Sequence, residues 1–177
     1  MSKESKNPCP NIHALRRTIV IGNTASGKSW LSKRLGQTLS STVVELDQFR
    51  WVDGDFSRKE STQTAIFKTV DQADLDQWII EGVYGWLVTP ILKRATCLIW
   101  IDLDWSESRK NLLSRELARG PDGNFEELET WSRDYWNRNS ASSYAAHLSI
   151  FEVFKHQKFR LLTMKETSRF ANIIDLV

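Results

Sequence analysis

The sequence is poor in several things that would each have pointed to a class of protein. It has two cysteines in 177 residues. Cys9 and Cys97 show no metal-ligand spacing and no disulfide framework, and Cys97, inside an apolar run, reads as a buried thiol. The three histidines, His13, His147 and His156, have neither ligand nor triad spacing and read as surface or core residues. No apolar run is long. The longest, around Leu98 to Leu103, is far short of the roughly 20 residues that a membrane-spanning helix needs. The N-terminus is polar and carries no signal-peptide pattern, so a reducing cytoplasm is the expected location. An excess of one charge is also missing. Lys and Arg number 24 against 22 Asp and Glu, net +2, which excludes a nucleic-acid-binding polycation and leaves only a local basic cleft open. There is no internal repeat and no low-complexity segment. What is plentiful is tryptophan, with eight copies, enough that some are expected to do more than fill a core.

Against that background one stretch stands out: Gly22-Asn23-Thr24-Ala25-Ser26-Gly27-Lys28-Ser29. It fits G-x-x-x-x-G-K-S, the phosphate-binding P-loop, a pattern that about one random position in 25,000 would match. Gly22 and Gly27 let the backbone turn tightly and approach a ligand. Successive backbone N–H groups then converge on phosphate oxygens, helped by the dipole of the helix that follows. Lys28 can reach the β- and γ-phosphates of ATP, and the Ser29 hydroxyl can ligate Mg²⁺. Arg17 to Ile21, just before, is a short β-branched run suited to a buried parallel strand. Trp30, Leu31, Leu35 and Leu39, just after, have helical spacing.

Further strands are predicted at Ser41 to Leu46, Gln77 to Glu81, Thr96 to Asp102 and Phe159 to Thr163. Helices are predicted between them: one through Ile66, Phe67, Val70 and Ala73; Tyr84 to Arg94, interrupted by Pro90; Asp104 to about Leu117, opened by a capping box with Glu107; Asn124 to Arg138; Ser140 to His156; and a short one at the C-terminus. This alternation argues an α/β fold with a parallel sheet covered on both faces. Ligands of such sheets sit beyond the carboxyl ends of the strands, which gathers the P-loop, Asp47, Glu81 and Asp102 to Asp104 around one crevice.

Candidates within that crevice carry open alternatives. Asp47 can orient an acceptor hydroxyl or hold a water on the metal, or it can simply cap a turn. Glu81 can serve the metal, and Gly82 beside it leaves room for a phosphate. Trp51, Tyr84 and Trp86 can stack on a planar acceptor, or belong to the core. Arg115, Arg119, Arg133 and Arg138 flank the Gly120-Pro121-Asp122-Gly123 loop. They can clamp the transferring phosphoryl group from a closing lid, or form a solvated basic face with Glu116, Glu126, Glu127 and Glu129.

Taken together, Gly22 to Ser29, Leu46-Asp47 with Trp51, Trp78-Ile79-Ile80-Glu81-Gly82-Val83-Tyr84, and Trp131-Ser132-Arg133-Asp134-Tyr135-Trp136 resemble the adenylate-kinase-related P-loop family often labelled DNA topology modulation protein. The similarity spans about residues 17 to 175. It implies a P-loop NTPase of the nucleoside-monophosphate-kinase-like kind: a five-stranded parallel sheet in the order 2-3-1-4-5, helices on both faces, and use of ATP and Mg²⁺. It implies an acid at Glu81 that assists the metal, and arginines Arg115, Arg133 and Arg138 lining the nucleotide and the moving phosphate. The organisation expected is a flexible leader at 1–13 and one domain at 14–177, with an acceptor-binding region at 48–76 and a short lid at 118–130. The chain differs from true adenylate kinases, with Glu81-Gly82-Val83-Tyr84-Gly85 in place of their D-G-[FY]-P-R motif and no long lid. The function expected is phosphoryl transfer from ATP to a small-molecule or nucleotide acceptor. The family label also suggests an alternative, an ATP-binding regulator acting on nucleic acid, but the sequence has no reader motif and its basic residues are interleaved with acids.

Overall fold

The computed structural model describes residues 9–53, 55–120 and 125–176, with the side chains of Phe56 and Arg119 left aside. Strand β1 (Arg17–Gly22) leads into helix α1 (Lys28–Leu39), then β2 (Val43–Glu45). A short helix, α2 (Asp47–Arg50), a hairpin of β3 (Trp51–Val52) and β4 (Asp55–Lys59), and helix α3 (Thr62–Ala73) follow. Strand β5 (Trp78–Gly82) runs into the one-turn α4 (Gly85–Val88). Strand β6 (Cys97–Ile101), helices α5 (Trp105–Arg119), α6 (Phe125–Arg133) and α7 (Tyr144–Val153), strand β7 (Gln157–Leu161) and helix α8 (Met164–Ile174) complete the chain.

Five strands form one sheet in the order β2-β5-β1-β6-β7, and every pairing is parallel. Counted along this sheet alone, that is the expected order 2-3-1-4-5. The central strands are largely apolar because both faces are covered: β5 and β6 are buried at each position and β1 at all but Arg17, with Thr18 and Glu81 the buried polar exceptions. Ile19, Ile21, Ile80, Leu98 and Trp100 face one core, against α3, α4 and α7. Val20, Ile79, Ile99 and Ile101 face the other, against α1 and α8. Each fully buried Ile or Leu in these layers contributes roughly 1.5–3 kcal/mol relative to an exposed one. No helix among the described residues is long and apolar enough to cross a membrane.

Several boundaries differ from those expected, each for a local reason. Strand β7 is Gln157–Leu161, two residues earlier than predicted. Among the described residues it is an edge strand paired with β6, and its polar residues are half-buried and find partners at the sheet edge, Gln157 with Asn11 and Arg160 with Asp102, while Thr163 turns away to cap α8 by accepting from the Glu166 N–H. The predicted helix at Tyr84 to Arg94 becomes α4 plus a 3₁₀ turn at Thr89–Ile91, because Pro90 has no N–H to continue an α-helix. The segment predicted from Asn124 to Arg138 ends as α6 at Arg133 and continues as a 3₁₀ turn at Asp134–Trp136. Asn124 itself, like residues 1–8 of the expected leader and 121–124 of the expected lid, lies outside the described residues. From Asn11 onward the chain is tied down, since the Asn11 N–H donates to the Gln157 side chain at 2.8 Å and a 3₁₀ turn, Ile12–Arg16, enters β1.

Candidate phosphate and acceptor site

The P-loop leaves the C-terminal end of β1 in the middle of the sheet. Gly22 has φ +154°, and a Cβ there would collide with the Ile101 carbonyl of the neighbouring strand and stand 2.8 Å from Ser26 Oγ. Gly27 has φ +94° and opens α1. Even Ala25 is in the left-handed region, at φ 56°. The loop is braced from above by two asparagines. Asn23 Nδ2 donates to the Ser132 carbonyl (2.8 Å), and Asn111 Nδ2 of α5 donates to the Ala25 carbonyl (3.0 Å). Asn23 Oδ1 accepts from the Thr24 N–H (2.8 Å), and Ser26 Oγ is buried with no hydrogen-bond partner among the described residues. A concave loop with an orphaned hydroxyl suits an anion that supplies acceptor oxygens.

Lys28 is 9% exposed and donates to the Asn23 carbonyl at 2.7 Å. Burial pushes its pKa down, opposed by the nearby carboxylates Glu81 and Asp47; the Arg115 guanidinium pushes it down further. Glu81, the penultimate residue of β5, lies opposite Val20 of β1 and is 4% exposed. Its Oε1 accepts the Ser29 hydroxyl at 2.5 Å, so the two expected metal-site groups meet. Burial raises the Glu81 pKa, and Lys28 and Ser29 pull it back. Two hard oxygen donors, one a desolvated carboxylate that a cation would relieve, fit Mg²⁺.

Across from the P-loop sits Asp47. It was expected to end the second strand, but β2 stops at Glu45. The Leu46 N–H still donates to the Glu81 carbonyl (2.8 Å) while its own backbone turns helical, so Asp47 opens α2. The Tyr84 hydroxyl donates to Asp47 Oδ1 (2.6 Å) and accepts from Trp51 Nε1 (3.2 Å). Burial and the Asp47 charge push the Tyr84 pKa far up, so the hydroxyl keeps its proton. Asp47, Trp51 and Tyr84 therefore form one hydrogen-bonded row, with Trp86 edge-on to Tyr84 at 6.3 Å. At Gly82 the space a side chain would need is filled by Leu46, whose Cβ would be 2.8 Å away, so packing by itself requires a glycine there.

Arg50 is a residue that reading the sequence missed. Its guanidinium carbon lies 5.1 Å from the Trp51 ring and 5.7 Å from the Trp86 ring, and no carboxylate of the described residues is within ion-pair distance. The signal available was the hairpin that carries Trp51: Val52-Asp53-Gly54-Asp55 has the Asp-Gly pair favoured in tight hairpins, and Asp53 indeed has φ 54°.

The arginines around the expected lid separate. Arg115, exposed on α5, is close enough to Lys28 for its charge to count. Arg133 is exposed and 3.9 Å from Asp134, a pair worth little in solvent. Arg138 lies over the Trp131 ring at 3.6 Å, and its guanidinium donates to the carbonyls of Trp131 (2.8 Å) and Ser142 (2.8 and 2.5 Å). That makes Arg138 a brace of the 131–142 segment. The Arg119 side chain is outside the described set. Asp102, expected in the crevice, is held by Arg160 of β7 at 2.9 and 2.5 Å, and Asp104 caps α5 by accepting from the Glu107 N–H (2.9 Å).

No protein-family model matches the chain, and no curated protein matches it. Solved structures do resemble it. One is a gluconokinase from Sinorhizobium meliloti 1021, with TM-score 0.57 and 9% identity over 92% of this chain and 90% of that one. Another is a shikimate kinase from Acinetobacter baumannii in complex with shikimate, with TM-score 0.54 and 10% identity over 94% and 96%. A third is deoxyadenosine kinase from M. mycoides with bound dATP, with TM-score 0.52 and 15% identity over 89% and 96%. At such identities the likeness establishes the fold alone, the P-loop α/β fold of the nucleoside-monophosphate-kinase kind.

Proposed function

We propose that this chain is an ATP-dependent phosphotransferase that moves the γ-phosphoryl group to a hydroxyl of a small-molecule or nucleotide acceptor. The observation that carries the reading is the pairing of two half-sites across the sheet's upper edge: a P-loop with its lysine and its serine–acid pair, and facing it a carboxylate, Asp47, held by a protonated tyrosine. The similar structures are kinases named for different acceptors, which supports the class of reaction and leaves the acceptor open.

In this reading the P-loop N–H groups and Lys28 hold the phosphates, and Arg115 adds charge where negative charge spreads during transfer. Asp47 accepts a hydrogen bond from the acceptor hydroxyl and takes its proton as the hydroxyl oxygen bonds to the γ-phosphorus and the bond to the β-phosphate oxygen breaks, leaving ADP. Tyr84 fixes the carboxylate, and Trp51 fixes Tyr84. Arg50, flanked by two indoles, offers donors that suit an acceptor with an oxyanion of its own. Ser29 and Glu81 are the groups that hold Mg²⁺, whose part when bound is to neutralise charge on the phosphates. Replacing Ser29 with Ala is expected to weaken ATP binding with Mg²⁺ about tenfold or more while leaving metal-free binding alone. Isothermal titration with and without EDTA checks this, and equal losses in both conditions would remove Ser29 from the metal site.

The test of the reaction is ADP release with matched acceptor pairs: gluconate and sorbitol, glycerate and glycerol, AMP and adenosine. Turnover with a charged member, dependent on ATP and Mg²⁺, is expected. ADP release no faster with any of them than without acceptor would sink the assignment.

A further inference from the structure

We propose that His147 and Tyr135 are a positioning pair. They hold the Val83–Tyr84 loop where Tyr84 can serve Asp47, and they tie that loop to the same short segment that braces the P-loop. The inference rests on the acceptor side lying at Asp47 and Tyr84, as proposed above.

His147, on α7, is fully buried, and both ring nitrogens are engaged: Nδ1 is 2.7 Å from the Tyr135 hydroxyl and Nε2 is 3.0 Å from the Val83 carbonyl. A carbonyl can only accept, so Nε2 carries the proton. In the neutral ring Nδ1 is then an acceptor, and the Tyr135 hydroxyl donates to it. Burial keeps this arrangement in place. It pushes the His147 pKa down to about 4, with the Lys28 and Arg138 charges acting in the same direction, and it pushes the Tyr135 pKa far up. Neither group titrates near neutrality, so the direction of both hydrogen bonds is fixed.

The pair joins two places that matter. Val83 lies between Gly82 and Tyr84, immediately before the hydroxyl that grips Asp47. The same loop is packed without slack on the other side, since a Cβ on Gly85 would collide with the Ala141 carbonyl. Tyr135 sits three residues after Ser132, whose carbonyl accepts from Asn23 of the P-loop. The Asn23 carbonyl in turn accepts from Lys28 Nζ. A phosphate that draws the Lys28 ammonium toward itself therefore changes the bonding at one end of a braced segment whose other end holds Tyr84.

Trp51 supplies the readout, because its indole N–H donates to the Tyr84 hydroxyl and reports on that ring without any acceptor. In a ¹⁵N correlation spectrum the Trp51 resonance, identified by its loss in Trp51→Phe, is expected to shift when a non-hydrolysable ATP analogue and Mg²⁺ are added. Tyr135→Phe keeps the ring and removes only the hydroxyl. It should reduce that shift by roughly half or more while nucleotide affinity stays within about twofold. With an acceptor in hand, kcat/KM for that acceptor should fall about five- to tenfold, with KM for ATP unmoved. His147→Gln should act in the same direction, and the double variant should lose little more than either single one. A Trp51 resonance indifferent to nucleotide, or a response unchanged in Tyr135→Phe, overturns the inference and leaves phosphotransfer standing. A parallel loss of nucleotide affinity would make the pair a packing feature only. If the nucleotide fails to bind the unaltered protein, both readings fall together.

Discussion

Lys28→Ala is expected to lower turnover by on the order of 10²- to 10³-fold, the usual cost of removing one preorganised charge from a transition state. The ammonium is buried beside the mouth of the loop and donates to the Asn23 carbonyl, so it waits where phosphate oxygens would arrive. Its pKa is pushed down by burial, which disfavours the charged form, with Glu81 and Asp47 opposing. Removing it relieves that desolvation and costs one hydrogen bond to a carbonyl, so thermal unfolding should change little. Parallel unfolding curves with a collapse in ADP release are the expected pair of results. Near-normal turnover in this variant would remove the P-loop from the chemistry.

Asp47→Asn should leave ATP binding intact and reduce transfer by on the order of 10²-fold or more, as loss of a positioned acid–base group does. The substitution keeps the shape, and Asn Oδ1 can still accept from Tyr84, so the row through Trp51 survives and only the proton acceptor is lost. Geometry already bears on the simplest alternative. Leu46, not Asp47, is the cap of α2 and makes no side-chain capping bond, while the bond described for Asp47 goes to Tyr84 on a different element. Two measurements separate the outcomes: ATP affinity by titration and ADP release with acceptor present. Loss of Mg²⁺-dependent binding alone would assign Asp47 to the metal. No change in either would return it to a structural role.

The sheet and the P-loop were legible because their signals are local and redundant. Arg17 to Lys28 shows a buried strand, a glycine pattern and a helix start in one run, and the apolar strands β5 and β6 can be nothing but central. Contact between Ser29 and Glu81, 52 positions apart, followed from the rule that strand ends converge. The acceptor side was harder. Trp51 and Tyr84 are bound through a hydroxyl and an indole N–H that no spacing reveals, and the β3–β4 hairpin that presents Trp51 is polar and short, so its Asp-Gly turn was its one sign. Arg50 reads as an ordinary surface charge until two tryptophans are found around it. Arg138 is ambiguous in the opposite sense. Its position in sequence suggested either a phosphate clamp or a solvated basic face, and in the structure it bonds the Trp131 and Ser142 carbonyls and lies over an indole face. A guanidinium satisfies either task equally well, and sequence carries no information on which acceptors reach it first.

The central strand has one more consequence, for how the chain comes to be folded at all. Neither neighbour of β1 is adjacent in sequence: Ile19 meets Ile80 on one side and Leu98 on the other. During synthesis, a β-branched strand and the glycine loop behind it therefore stay without a lateral partner until Gly82 has emerged, and without the second until Ile101 has. Pairings this distant are slow to form, and an apolar strand left waiting for them is open to association with other chains. The segment that carries the glycine loop is thus also the one most dependent on prompt completion of the rest, and expression at lower temperature or with chaperones should raise the yield of folded protein more than any change at the chain's surface.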